Sequence, residues 1–116
     1  MKKVTLLLIG MFTISLAAQE IEPKFEKEGK QVKATYFHDN GEIAQTGFYL
    51  NGELHGEWKM YDAKGNKIAM GQYDEGVRTG KWFFWEGEEL QEVAYLDNKI
   101  VNITKWKNGE SVVLNK

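Results

Sequence analysis

The chain has no cysteine in 116 residues, so it can form neither a disulfide framework nor a thiolate metal site. It has only two histidines, His38 and His55, and no His-x-x-x-His spacing for zinc. A catalytic triad needs a base within reach of a nucleophile and a third group that orients it. His38 sits beside Asp39 at an Asn-Gly turn, and neighbouring strand residues point to opposite faces. Thr79 stands one repeat after His55, so a residue that does not titrate fills that position. Both histidines are therefore read as surface residues, with no catalytic residue, cofactor or metal assigned. Positive charge is also short. Without Lys2 and Lys3, the 15 basic residues fall to 13 against 17 acidic ones, a charge of −4. That balance argues against nucleic acid and anionic membrane surfaces as partners.

Long apolar runs are absent except at the N-terminus. Met1-Lys2-Lys3 precedes an apolar run from Val4 to Leu16, followed by Ala17-Ala18-Gln19. This order is that of a secretory signal peptide, placed at 1–18. Cleavage after Ala17 puts Ser15 at the −3 position, and cleavage after Ala18 leaves Gln19 first; both stay open. The run is well short of the roughly 20 residues of a spanning helix, so no stable membrane anchor is expected after cleavage. A periplasmic or extracellular location follows. Residues 19–33 hold the sole proline, Pro23, and few apolar side chains, and read as a linker running into a first strand near Gln31. A short helix over Phe25–Lys30 is the alternative, although its apolar positions are sparse.

Glycine and aromatic residues dominate what remains, and they repeat. Gly47, Gly52, Gly56 and Trp58 recur 24 residues later as Gly71, Gly76, Gly80 and Trp82, and Tyr49 recurs as Tyr73. Phe37, Tyr61 and Trp85 keep the same period. Such regularity marks one supersecondary unit copied and stacked. Turn signals fall at Asn40-Gly41, Asn51-Gly52, Lys64-Gly65, Glu75-Gly76, Glu86-Gly87, Asp97-Asn98 and Asn108-Gly109. Asn-Gly between apolar-bearing segments favours a type I′ hairpin. The spacing leaves room for strands of roughly eight residues and none for helices. The expectation is all-β: an antiparallel hairpin-repeat meander of eight strands, two per repeat, over 34–116.

Two-residue turns set Gly47 opposite Gly56, Gly71 opposite Gly80, and Trp58 opposite Gly71. An indole can then cover a bare glycine across the sheet. The third repeat is two residues short around Glu86-Gly87, so Tyr73 maps to Tyr95. In that repeat Trp82-Phe83-Phe84-Trp85 makes both strand faces aromatic, whereas Lys59 fills the place of Phe83 one repeat earlier. Either a curled sheet or the segment around Phe25 covers both faces, or Phe83 and Trp85, with Tyr61, form a ligand-facing surface. The acidic residues Glu86, Glu88, Glu89 and Glu92 read as a solvated rim, and no EF-hand order is present.

The pattern Gly-x-Tyr-x-x-Gly-x-x-x-Gly-x-Trp-x-x-Tyr runs from Gly47 to Tyr61 and recurs from Gly71 to Trp85. It resembles the MORN-repeat variant family, which includes the YwqK-like antitoxin components of toxin-antitoxin systems. The resemblance covers about Ala34 to Lys107 and implies a β-hairpin repeat sheet with a non-catalytic, protein-binding role. A classical antitoxin acts in the cytoplasm, which departs from the export signal here. Some relatives carry an adenylyltransferase label; that chemistry needs a phosphate-cradling histidine motif, and Leu54-His55-Gly56 stands alone. The expected function is an exported protein-interaction module with a protein partner. The alternative is a carbohydrate- or envelope-polymer-binding module that uses exposed aromatic rings.

Overall fold

Alternating side chains and closely spaced turns produce strands and nothing else among the described residues. The computed structural model describes residues 21–108 and 110–113; the expected signal peptide lies outside them. The strands are β1 (Lys24–Glu28), β2 (Gln31–Phe37), β3 (Ile43–Leu50), β4 (Glu53–Tyr61), β5 (Lys67–Asp74), β6 (Val77–Glu86), β7 (Glu89–Leu96), β8 (Lys99–Lys107) and β9 (Glu110–Val113). They form one antiparallel sheet in chain order, with β1 and β9 at its edges. The meander matches the expectation, with one strand more. The segment read as a linker or short helix contains β1, paired with β2 from Lys24↔Thr35 to Glu28↔Gln31. An edge strand hydrogen-bonds on one side only and tolerates charged residues, which is why this segment carries few apolar side chains.

The two ends of the sheet differ. At one end, Asn51-Gly52, Glu75-Gly76 and Asp97-Asn98 close two-residue turns with φ positive at both residues, as a type I′ turn requires. At the other end, the expected two-residue turns at Asn40-Gly41 and Lys64-Gly65 are five-residue loops, 38–42 and 62–66. Side-chain acceptors close these loops in place of type I′ geometry. The Glu42 N–H donates to Asn40 Oδ1 (2.9 Å), and the Lys64 and Asn66 N–H groups donate to Asp62 Oδ1 (both 2.9 Å). The third repeat has only residues 87–88 at this position.

The glycine pairing also differs from the simple register. Between Thr46↔Lys59 and Phe48↔His55, Gly47 faces three residues of β4, 56 to 58. Between Met70↔Phe83 and Gln72↔Thr79, Gly71 likewise faces residues 80 to 82. These are bulges, and Gly56 (φ 73°) and Gly80 (φ 72°) take the left-handed conformation that turns the strand back into register. Gly56 and Gly80 are therefore hinges, not cross-strand partners of Gly47 and Gly71.

Trp58 does pair with Gly71 along the backbone, as expected. Its ring, however, covers the glycine on the other side. A Cβ on Gly47 would lie 2.0 Å from Trp58 Cδ2, and one on Gly71 would lie 1.9 Å from Trp82 Cδ2. The bulge inserts its extra residues just ahead of each tryptophan, and the indole N–H anchors the ring over the preceding strand. Trp58 Nε1 donates to the Phe48 carbonyl (3.0 Å), and Trp82 Nε1 donates to the Gln72 carbonyl (3.1 Å).

These rings are the core. Trp58 is 2% exposed and Trp82 1%, although the sheet is a single layer. Aromatic neighbours on the same face bury them. Tyr36 stacks on Trp58, and Tyr49 and Tyr73 meet it edge-on with centroids 5.4 and 6.2 Å away. Tyr73 and Tyr95 do the same for Trp82, Phe84 stacks beside it, and the Arg78 guanidinium lies 4.9 Å from its centroid. Val93 takes the place of a third glycine, and its neighbour on β8 is Ile103 rather than a third indole; Trp106 lies on the opposite face, where its Nε1 donates to Glu92 Oε1 at 3.3 Å.

Candidate binding surface

Strand alternation sends Phe83 and Trp85 to the face opposite Trp58 and Trp82. Their rings stack with centroids 6.1 Å apart and an interplanar angle of 28°. Register places Met70 beside Phe83, Leu90 beside Trp85 and Trp106 beside Leu90. All five side chains are half-buried, and together they form an apolar strip. Charges border it: Lys81 pairs with Glu92 at 3.1 Å, and the Lys67 ammonium lies 5.5 Å from the Trp85 centroid. The segment around Phe25 does not cover this strip. Phe25 packs edge-on against Tyr36 on the tryptophan face and is itself 56% exposed.

Tyr61 is not part of the strip. It lines a separate hollow of about 180 Å³ with Glu42, Ile43 and Gly65. Trp85 lines a hollow of about 590 Å³ with Asp62, Asn66, Lys67, Ile68 and Gly87. The two hollows are the same site in successive repeats. Glu42, Ile43 and Tyr61 correspond to Asn66, Lys67 and Trp85 at a spacing of 24 residues. Gly65 corresponds to Gly87 once the two-residue shortening is counted.

Loop length explains why the second hollow is larger. In the first, loop 38–42 docks on loop 62–66: His38 Nε2 lies 2.8 Å from the Tyr61 carbonyl, and Asn40 Nδ2 donates to the Ala63 carbonyl (2.9 Å). In the second, the carboxylate of Asp62, the residue equivalent to His38, turns into its own loop, and the facing turn has only two residues. The Asn66 and Lys64 N–H groups also hold the Asp62 carboxyl below the usual carboxylate range. Asp62, Asn66 and Lys67 are the residues that sequence reasoning missed here. The signal for them was the shortened third repeat, which leaves loop 62–66 without a loop of equal length to meet.

The histidines are more engaged than the surface reading expected. His38 ties loop 38–42 to the end of β4 and is half-buried. His55 Nδ1 is buried without a hydrogen-bond partner, and Asp74 Oδ1 is 3.8 Å away. Of the acidic residues near the third hairpin, Glu86 faces Glu89 across the strands, Glu89 pairs with Lys105 and Glu92 pairs with Lys81. Among the described residues, no group of three or more His, Asp or Glu side chains is placed to hold a metal ion.

No family model matches the chain, and no curated protein matches it.

Proposed function

We propose that this chain is an exported, non-enzymatic repeat module that binds another protein through the strip of Met70, Phe83, Trp85, Leu90 and Trp106. The observation that carries this reading is the half-exposed stack of Phe83 on Trp85, on a face that no other described element covers. Aromatic residues in an apolar patch with a charged border are the composition of a protein-binding surface. The resemblance of the 24-residue pattern to MORN-repeat variants supports the same role. The charge of the chain after cleavage favours a protein over nucleic acid. Tagged protein recovered from an envelope extract should retain one stoichiometric partner, and the Phe83→Ser/Trp85→Ser double variant should lose it. Equal recovery by the variant would defeat this reading. Mass measurement of the recovered protein tests export, because it should begin at Ala18 or Gln19. A second reading, saccharide binding, is favoured by one observation: the hollow beside Trp85 combines an indole with polar side chains.

A further inference from the structure

The hollow beside Trp85 narrows its own ligand class. Its volume of about 590 Å³ falls within the range of small-molecule sites. It is lined by an indole, an amide, a carboxylate and an ammonium group, from Trp85, Asn66, Asp62 and Lys67. Lys67 makes no ion pair with a carboxylate within 4 Å among the described residues; its ammonium lies over the indole and donates to Met70 Sδ at 3.7 Å. The indole therefore has a face that a group can stack on, held by a flexible, exposed side chain that can move aside. An anion would meet the Asp62 carboxylate. A cation would meet Lys67. The lining fits a neutral ligand with one apolar face and several hydroxyl groups at its edge.

A pyranose ring has that shape. Its axial C–H groups form an apolar face for Trp85. Its hydroxyls both donate and accept, which suits a carboxylate beside an amide. Asp62 keeps accepting capacity, because Oδ1 takes both loop N–H groups while Oδ2 has only the Asn66 amide at 3.3 Å. The hydrogen bonds inside loop 62–66 hold both side chains in place before a ligand arrives, which lowers the cost of ordering them. The equivalent hollow one repeat earlier is about 180 Å³ and is spanned by the His38 and Asn40 bonds, so it has no such room.

We propose that the hollow formed by Trp85, Asp62, Asn66 and Lys67 binds a pyranose unit of a neutral glycan. The proposal rests on the saccharide reading of Trp85 and is independent of the protein-binding strip, with which it shares only that ring.

The test is calorimetric and fluorescence titration of the purified protein with cellotetraose, chitotetraose, maltotetraose and mannotetraose. At least one should bind saturably and change the tryptophan emission. Trp85→Ala should weaken that binding by about tenfold or more. Asn66→Ala should weaken it by about three- to tenfold, the loss expected for one hydrogen bond. Asn66 is exposed and its backbone contacts remain in that variant, so the result stands even if Trp85→Ala disturbs the fold. Phe83 does not line the hollow but stacks on Trp85, so Phe83→Ser should lose the protein partner and weaken the sugar less than Trp85→Ala does. The proposal is overturned if none of the four tetrasaccharides binds at millimolar concentration. It is equally overturned if binding survives both Trp85→Ala and Asn66→Ala unchanged, or if it is lost only with Phe83→Ser.

Discussion

Gly47 and Gly71 are small because an indole occupies the space where a side chain would be. A methyl group on Gly71 would meet Trp82 Cδ2 at 1.9 Å, too close for any rotamer to relieve. The ring cannot swing away cheaply, since its N–H is bonded to the Gln72 carbonyl and Tyr73, Phe84 and Tyr95 surround it. Gly71→Ala should therefore destabilise the protein by about 1–3 kcal/mol or more. Trp82→Ala should cost about 3–5 kcal/mol for a fully buried ring. The double variant should cost clearly less than the two added, because each change removes the reason for the other. Urea denaturation of the four proteins measures this, and additive losses would disprove the coupling. A second residue-scale prediction concerns Tyr49. Its hydroxyl is 2.8 Å from that of Tyr36, and this hydrogen bond, then burial, then the charge of an ionised Tyr36, pushes its pKa from 10.0 up to about 12. A raised folded-state value means stability that is fully present below pH 10 and is lost as the pH climbs towards about 12. Melting curves across that window should fall more steeply for the wild type than for Tyr49→Phe, and parallel curves would refute the assignment.

At the scale of strands and turns, Gly56 and Gly80 show glycine used for the opposite purpose. Both have positive φ, and a Cβ at either would meet nothing within 4 Å. The cost of Gly80→Ala should therefore be backbone strain alone, about 1–2 kcal/mol. Asparagine tolerates the left-handed region better, so Gly80→Asn should be milder, while Gly71→Asn should be worse than Gly71→Ala. Chemical denaturation of these variants decides it, and the reverse ranking would show that Gly80 is not a bulge hinge. This division of labour was not legible in the sequence, where all four glycines simply share one period. The strands were legible, because the turn signals recur at short intervals and leave no room for anything else. β1 was not, because Lys24-Phe25-Glu26-Lys27-Glu28 has one apolar residue and an edge strand asks for no more. The aromatic strip was legible from Trp82-Phe83-Phe84-Trp85, since alternation alone sends Phe83 and Trp85 to one face. The hollow beside Trp85 was not. It depends on the length of loop 62–66, which the Asp62 carboxylate closes wider than the tight turn that Lys64-Gly65 signals.

For the molecule as a whole, a single-layer sheet has no second layer to share its core. Its stability must come from strand-to-strand contacts and from the rings that bridge neighbouring strands, so each strand depends mainly on the two beside it. The bridging is not uniform along the sheet. Trp58 on β4 covers Gly47 on β3 and meets Tyr73 on β5, and Trp82 on β6 covers Gly71 on β5 and meets Tyr95 on β7. The strands β3 to β7 are thereby tied into one unit. The outer strands lack this: Phe25 on β1 is 56% exposed, and Ile100 and Val101 on β8 are 54% and 58% exposed. Local opening should therefore begin at both edges and stop at the tryptophans. Amide hydrogen exchange followed by mass spectrometry should find the strongest protection in β4 to β6, weaker protection in β2 and β8, and the weakest in β1. Trp58→Ala should cut the unit rather than fray it: protection should fall in β3, β4 and β5 together, while β6 and β7, still bridged by Trp82, lose less. Equal protection across all strands in the wild type, or a uniform loss in Trp58→Ala, would mean that the sheet opens as one body and that the indoles do not set its cooperative unit.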